Sequence, residues 1–307
     1  MKTEDEVRVF YDDVLNELLY PLEEYRLRKV VWIKRYMLIG SLLLIPSIVC
    51  FCFGVPFVAF IFGFTAFILY GYAFQSVNEM KATLQRNFKN KILPVLLGFL
   101  FDNYEYIPNQ RIARSVFIKS KLFAEDITSM DGEDFMRFKI GDTAIMFCES
   151  DLYNKGKMFF HGIFICSVFN KFFNHQTVVL PKPVFPLFQN IVRSLLEGFC
   201  RIQLEDVVFT KNFIVYGDDP VESRYILTPG LMARILNYKF KTRKKISFSF
   251  IDDRMYCVIP NYINLFEPAL FDSFLDFEFI RKSYEPLKLY TDLVDDLNLN
   301  VRIWSKM

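Results

Sequence analysis

The chain has 307 residues, 52% hydrophobic and 18% aromatic, with a formal net charge of +2. So small a charge leaves no electrostatic footprint for nucleic acid, which calls for a basic excess across a domain. The six cysteines form no CxxC pair and only two histidines accompany them, so buried thiols in a reducing compartment are expected rather than a zinc or disulfide framework.

Residues 1–35 read as a cytosolic amphipathic helix. Val7, Phe10, Val14, Leu18 and Leu22 recur at three- and four-residue spacing, the period of one helix face. Acidic Glu4, Asp5 and Glu6 open the segment and basic residues close it, which suits the helix dipole. Pro21 lacks an N–H, a loss of about 3 kcal/mol inside a helix. It predicts a break near Tyr20 and a new helix beyond it.

Between Tyr36 and Asn78 no side chain is charged. That run has room for two membrane crossings of about 20 residues each. Gly54 and Pro56 mark a turn near its middle, because glycine accepts unusual dihedrals and proline cannot donate. The predicted spans are Tyr36–Phe53 and Val55–Phe74, within a hairpin over 36–76. Each is about 27–30 Å long, against a hydrocarbon core of about 30 Å. A shallow re-entrant hairpin is the alternative, since local bilayer thinning also accommodates short spans.

Arg26, Arg28, Lys29, Lys34 and Arg35 precede the run, and Lys81, Arg86, Lys89 and Lys91 follow it. Cytoplasmic flanks are rich in Lys and Arg, so both termini are expected in the cytoplasm. Trp32, Tyr36, Tyr70 and Tyr72 sit at the same two ends, where amphipathic rings favour the interface. The late start and length of the run do not fit a signal peptide.

Residues 77–101 form a juxtamembrane helix with Val77, Met80, Leu84, Phe88 and Ile92 on one face. It is expected either to pair with the first helix as a stalk or to lie along the bilayer surface. Residues 102–307 are expected to form a cytosolic mixed α+β domain. Its strands are mostly antiparallel, because their connections are short.

Within that domain Asn109–Phe123 reads as a helix. Phe135–Ile140 and Thr143–Cys148 make a hairpin about Gly141-Asp142. Met158–Phe169 is a long strand, and a polar turn at Asn174 leads to Gln176–Leu180. Pro183–Phe199 is helical. Asp219-Pro220 and Thr228-Pro229 place capping side chains before prolines suited to a first helical turn, and Glu222 has capping-box spacing. Leu231–Phe240 is the helix after Thr228-Pro229. Ile246–Ile251 and Arg254–Ile259 form a second hairpin about Asp252-Asp253, and helices follow at Phe266–Leu275 and Phe277–Leu297.

No catalytic, cofactor or metal-binding set is assigned. Asp218, Asp219 and Glu222 have the chemistry for acid/base work or Mg2+, but helix capping accounts for Asp219 and Glu222. Glu149 and Asp151 read as solvated residues at a strand end. His161 and His175 are the only imidazoles, and a pairing of His with Cys148 or Cys166 is the one nucleophilic arrangement open to this chain. Phosphate-binding glycine loops and the GxSxG elbow do not occur. Lys239, Lys241, Arg243, Lys244 and Lys245 form a basic cluster, read as a lipid contact or a solvated loop. Phe172 and Phe173, beside the expected turn, are candidates for an exposed contact patch.

Four segments together resemble a bacterial membrane-protein family known as domain of unknown function 3137. They are Gly132-Glu133-Asp134 leading to Phe138-Lys139-Ile140-Gly141, the stretch Phe160–Pro181, the stretch Phe213–Pro229, and Ile246–Pro260. Two spans followed by such a domain also fit, and the likeness runs from about Tyr11 onward. Asn174-His175 departs from the glycine-containing turn expected there. The resemblance implies bacterial origin and membrane location and lends no catalytic residues.

The reading is therefore an integral membrane protein of the bacterial cytoplasmic membrane. It passes twice and acts as a non-enzymatic interaction module for a protein partner, a lipid or a second copy of itself. The alternative is a membrane-tethered hydrolase that gathers at least three of His161, Cys166, Asp218, Glu222 and Asp252 in one pocket. A channel is disfavoured, because conduction paths place polar groups inside the membrane.

Overall fold

The computed structural model describes residues 2–123, 125–140, 143–182, 198–260, 265–267 and 270–296. They form an α+β protein of two compact units, Lys2–Leu97 with Leu265–Tyr284, and Gly98–Asn264 with the chain from Glu285 onward.

The first unit is helical. Thr3 and Glu6 form a reciprocal capping box at the start of α1 (Glu4–Phe10). A π-helical turn at Tyr11–Leu15 leads into α2 (Asn16–Cys52), and Gly54 makes the turn with φ +76°. Then α3 (Pro56–Asn87), a second π turn at Phe88–Ile92, and α4 (Leu93–Leu100) follow.

The expected break near Tyr20 is absent, since α2 runs through Pro21 and Pro46. Packing of Leu15, Leu19 and Leu22, all buried, holds the helix across the missing bond. The buried face is also not the one expected. Val7, Tyr11, Leu15, Leu19 and Leu22 point inward, while Val14 and Leu18 are exposed. The π turn adds a residue and moves the face on by one position. On the other helix Met80, Leu84, Phe88 and Ile92 are buried as expected, and Val77 is half-buried.

Helices α2 and α3 run antiparallel. Lys29 pairs with Glu79 at 3.3 Å, Ser41 Oγ meets Tyr70 Oη at 2.9 Å, and Ser47 Oγ donates to the Ala59 carbonyl at 2.7 Å. Small residues line the contact. Ala59, Ala66 and Ala73 recur every seven residues and are buried, and a Cβ on Gly40 would sit 3.3 Å from the Tyr70 ring. Close backbone approach of this kind is how apolar helices pack without a hydrophobic driving force.

The segment Leu265–Tyr284 completes this unit. The helix expected at Phe266–Leu275 is replaced by turns over its described residues. Here Phe274 N–H donates to Glu23 at 3.0 Å and Ser273 Oγ contacts the same carboxylate at 3.2 Å. Phe277 meets Tyr11, and Phe279 meets Phe88. These belong to α9 (Phe277–Asp296), which agrees with expectation over the described residues.

The second unit is built on a seven-stranded antiparallel sheet. Its strands are β1 (Tyr104–Ile107), β2 (Ser129–Ile140), β3 (Thr143–Asn154), β4 (Lys157–Pro181), β5 (Cys200–Ile202), β6 (Phe213–Gly217) and β7 (Ser247–Pro260). The order is β1-β2-β3-β4-β6-β5, and β7 also pairs with β4. The β2–β3 hairpin is present and longer than expected, with Ile140 opposite Thr143; its Gly141-Asp142 turn lies outside the described residues. The helix expected at Pro183–Phe199 falls on 183–197, also outside them.

Three expectations are corrected in this unit. Helix α5 covers only Arg114–Lys119. The residues before it are tied to the sheet, Pro108 and Gln110 carbonyls accepting from Asp134 and Phe135 N–H. The polar turn at Asn174 is a bulge, since β4 continues through it. The second hairpin does not form, because β7 is one continuous strand along β4, with Asp252 (φ +57°) opposite Phe173 between two register shifts whose extra residues lie on β4. Asp tolerates this left-handed conformation better than most residues.

The capping signals are observed. Asp219 caps α7 (Pro220–Ile226) and Thr228 caps α8 (Pro229–Thr242), while Asp206 caps α6 (Val207–Asn212). One sheet face packs Cys148, Phe164, Cys166, Tyr216 and Tyr256 under Phe117 of α5, whose ring stacks on Phe164 at 4.0 Å.

Candidate functional site

Lys155 and Gly156 both have positive φ and close a tight turn between β3 and β4. An extra residue in β4, Phe159, between the Tyr153–Met158 and Leu152–Phe160 pairs, sets His161 opposite Asp151, with Asp131 of β2 opposite Asp151 and Glu133 opposite Glu149. Side chains two apart share a sheet face. Asp131, Glu133, Glu149, Asp151 and His161 therefore line one open cleft of about 220 Å3.

His161 Nδ1 meets Asp151 Oδ1 at 2.5 Å, and Nε2 lies 3.6 Å from the buried Glu149 carboxylate. The register shift after Glu133 brings Asp134 into reach. Asp134 has φ +57° and accepts from Tyr106 Oη at 2.6 Å. That hydroxyl's pKa is pushed up, by burial first and then by the Asp134 charge.

Glu133, Asp134 and Glu149 offer carboxylate oxygens within 4.8 Å of one another, the group suited to a metal ion among the described residues. Like charges opposite one another destabilise a sheet, and the Lys244 charge acts on Glu149. Burial lowers the Lys244 pKa while the Glu149 charge opposes that shift. The face can thus hold a cation. Gly132 admits the strands this closely, since a Cβ there would lie 2.7 Å from the Glu149 carbonyl.

The constellation required for a hydrolase is not assembled. Cys148 and Cys166 point to the face opposite His161 and are buried, and burial pushes both thiols up to about 11. Asp252 pairs with Lys119 at 2.7 Å. Asp218 and Glu222 accept from the Gln176 and Asn174 N–H groups at 2.7 and 2.9 Å. They satisfy backbone donors that the β4 bulge releases. Glu222 thus reaches β4, while Asp219 accepts from the Glu222 N–H as the cap.

The basic cluster divides. Lys239 donates to Asn212 and lies over the Phe213 ring, and burial lowers its pKa. Lys241 pairs with Asp292 at 3.1 Å, and Lys244 is half-buried. Arg243 and Lys245 are exposed. Phe172 is exposed, whereas Phe173 is buried against Phe250.

Residues 158–299 match the model of the family described as Protein of unknown function (DUF3137). This stretch is similar to that family and spans less than half of the chain. The DUF3137 stretch begins at the start of β4, so three of the four resembling segments fall within it and Gly132–Gly141 precedes it. Among solved structures the chain is similar to the crystal structure of the mycobacterial trehalose monomycolate transport factor A, TtfA. Identity is 9%, the TM-score is 0.34, and the match covers 69% of this chain and 96% of that one. The comparison with curated proteins finds no match. The DUF3137 stretch supplies His161 to the cleft, while the carboxylates come from β2 and β3. That division hid the cleft from a reading of motifs, and the bulge at Phe159 hid it from a count outward from the Lys155-Gly156 turn.

Proposed function

We propose that this is a two-pass integral membrane protein. The hairpin over 36–76 anchors it in the bacterial cytoplasmic membrane, with both termini cytoplasmic. Residues 77–101 continue the stalk, and the α+β domain over 102–307 binds a protein partner or lipid without catalysis of its own. The observation that carries this reading is the outward face of the hairpin. Phe53, Phe57, Phe67 and Phe74 are exposed at 82%, 74%, 73% and 70%. Only 6% and 17% of the most apolar windows of the two helices are buried. A soluble core hairpin would bury these side chains, and an exposed apolar surface of this extent calls for lipid.

Two further features support it. Trp32, Tyr36 and Tyr72 form a ladder of rings, with centroids 6.0 and 6.4 Å apart, where the charged flank meets the apolar run. Both helices are long enough to span. In the domain, Arg243 and Lys245 are exposed, and they are the cluster members we assign to lipid contact. Crosslinking in native membranes, followed by mass spectrometry of the purified full-length protein, tests the reading. A stoichiometric protein or lipid is expected. Recovery of the chain in the soluble fraction refutes the anchor, and a bound metabolite in place of a partner refutes the interaction role.

A further inference from the structure

Resting on the membrane reading above, we propose that Lys34 and Arg35, beside Trp32, form a docking site for headgroups of anionic phospholipids at the charged edge of the hairpin. The structure separates these two cations from the other basic residues nearby. Arg26 is engaged by Glu23, Arg28 faces Glu24 at 3.5 Å, Lys29 pairs with Glu79 at 3.3 Å, and Lys81 pairs with Glu267 at 3.2 Å. Lys34 and Arg35 are exposed, and no carboxylate pairs with either among the described residues. Arg35 lies over the Trp32 ring, 5.4 Å from its centroid.

Their depth selects the occupant. At 1.5 Å per residue from Gly54, Lys34 and Arg35 lie about 30 Å along α2, one hydrocarbon thickness from the far turn. Lys29 and Glu79 are equally far from Gly54 along their helices, at about 37 Å, so their pair sits beyond the apolar layer. At the depth of Lys34 and Arg35, α3 presents Phe74, Gln75 and Ser76, with no acid. Two positive charges thus face the headgroup layer without a protein counter-charge. Their long stems cover apolar surface while the charged heads reach outward. An occupant here has an anionic head and an apolar body, which is an anionic phospholipid. Each cation near such a surface strengthens binding about fivefold.

The test uses the full-length chain reconstituted into vesicles of phosphatidylcholine alone, or of phosphatidylcholine with phosphatidylglycerol. Native mass spectrometry then counts the lipids that stay bound. Wild type is expected to retain phosphatidylglycerol over phosphatidylcholine. In the double variant Lys34→Gln/Arg35→Gln that preference falls by about an order of magnitude, while Lys34→Arg/Arg35→Lys keeps it. Retention unchanged in the glutamine variant overturns the proposal. So does a loss confined to Arg243→Gln/Lys245→Gln, which would move the lipid contact to the domain. If the chain enters neither vesicle, the membrane reading fails and the proposal with it. Entry with equal retention of both lipids defeats the proposal alone.

Discussion

Removing the Glu23 carboxylate is expected to unfasten Leu265–Tyr284 from the helices. Glu23 and Arg26 are each 6% exposed and joined by two charge-assisted bonds of 2.6 and 2.8 Å. The same carboxylate accepts from Phe274 N–H and Ser273 Oγ. Glu23→Ala leaves a buried guanidinium without a counter-ion, a loss of about 3–5 kcal/mol. Hydrogen exchange of the full-length protein in detergent reads this locally, and amides around Phe274 should lose at least about a hundredfold in protection. Glu23→Leu/Arg26→Met removes both charges and should restore most of it, because apolar replacement of a buried pair is often close to neutral.

The pH dependence follows from the same contacts. The Arg26 bond first, and the Phe274 N–H after it, hold the Glu23 carboxyl below its ordinary value, against the opposing effect of burial. The stabilisation is therefore complete above the ordinary pKa of 4.5 and is lost as pH falls through the depressed folded value. Glu23→Gln should flatten that acid limb. Unchanged protection in Glu23→Ala, or an unchanged acid limb in Glu23→Gln, would refute the reasoning.

Two other outcomes are expected. Gly132→Ala drives a Cβ to 2.7 Å from the Glu149 carbonyl and 2.9 Å from Ser150 Oγ, an overpacking loss of about 1–3 kcal/mol, visible as a lower thermal midpoint by circular dichroism. Gly156→Ala, where φ is +81° and the space is open, should lose only the backbone preference, about 1 kcal/mol. In thiol labelling of the native protein at neutral pH, exposed Cys200 should react, while buried Cys148, Cys166 and Cys257 should react only after denaturation.

Local chemistry was the readable part of this sequence. The uncharged run, the Gly54 turn and the caps at Asp219 and Thr228 each depend on neighbours within a few residues, and all are present. Long-range partners overrode the local signal elsewhere. Asn174 looks like a turn until Glu222 and Asp218, far along the chain, satisfy the backbone of a bulge instead. Asp252-Asp253 looks like a hairpin until β4 proves long enough to pair with both halves of β7. The stalk face slipped by one residue because a π turn has no clear sequence mark. The cleft drew its carboxylates and its histidine from three strands, so no single segment announced it.

The central claim is that the hairpin crosses the membrane. Its most direct test is sided labelling of single cysteines in a cysteine-free background, in sealed membrane vesicles with an impermeant maleimide. Phe53→Cys, at the exposed tip of the hairpin, and Lys245→Cys, on the α+β domain, should label from opposite sides. Labelling of both from one side would contradict a two-pass anchor.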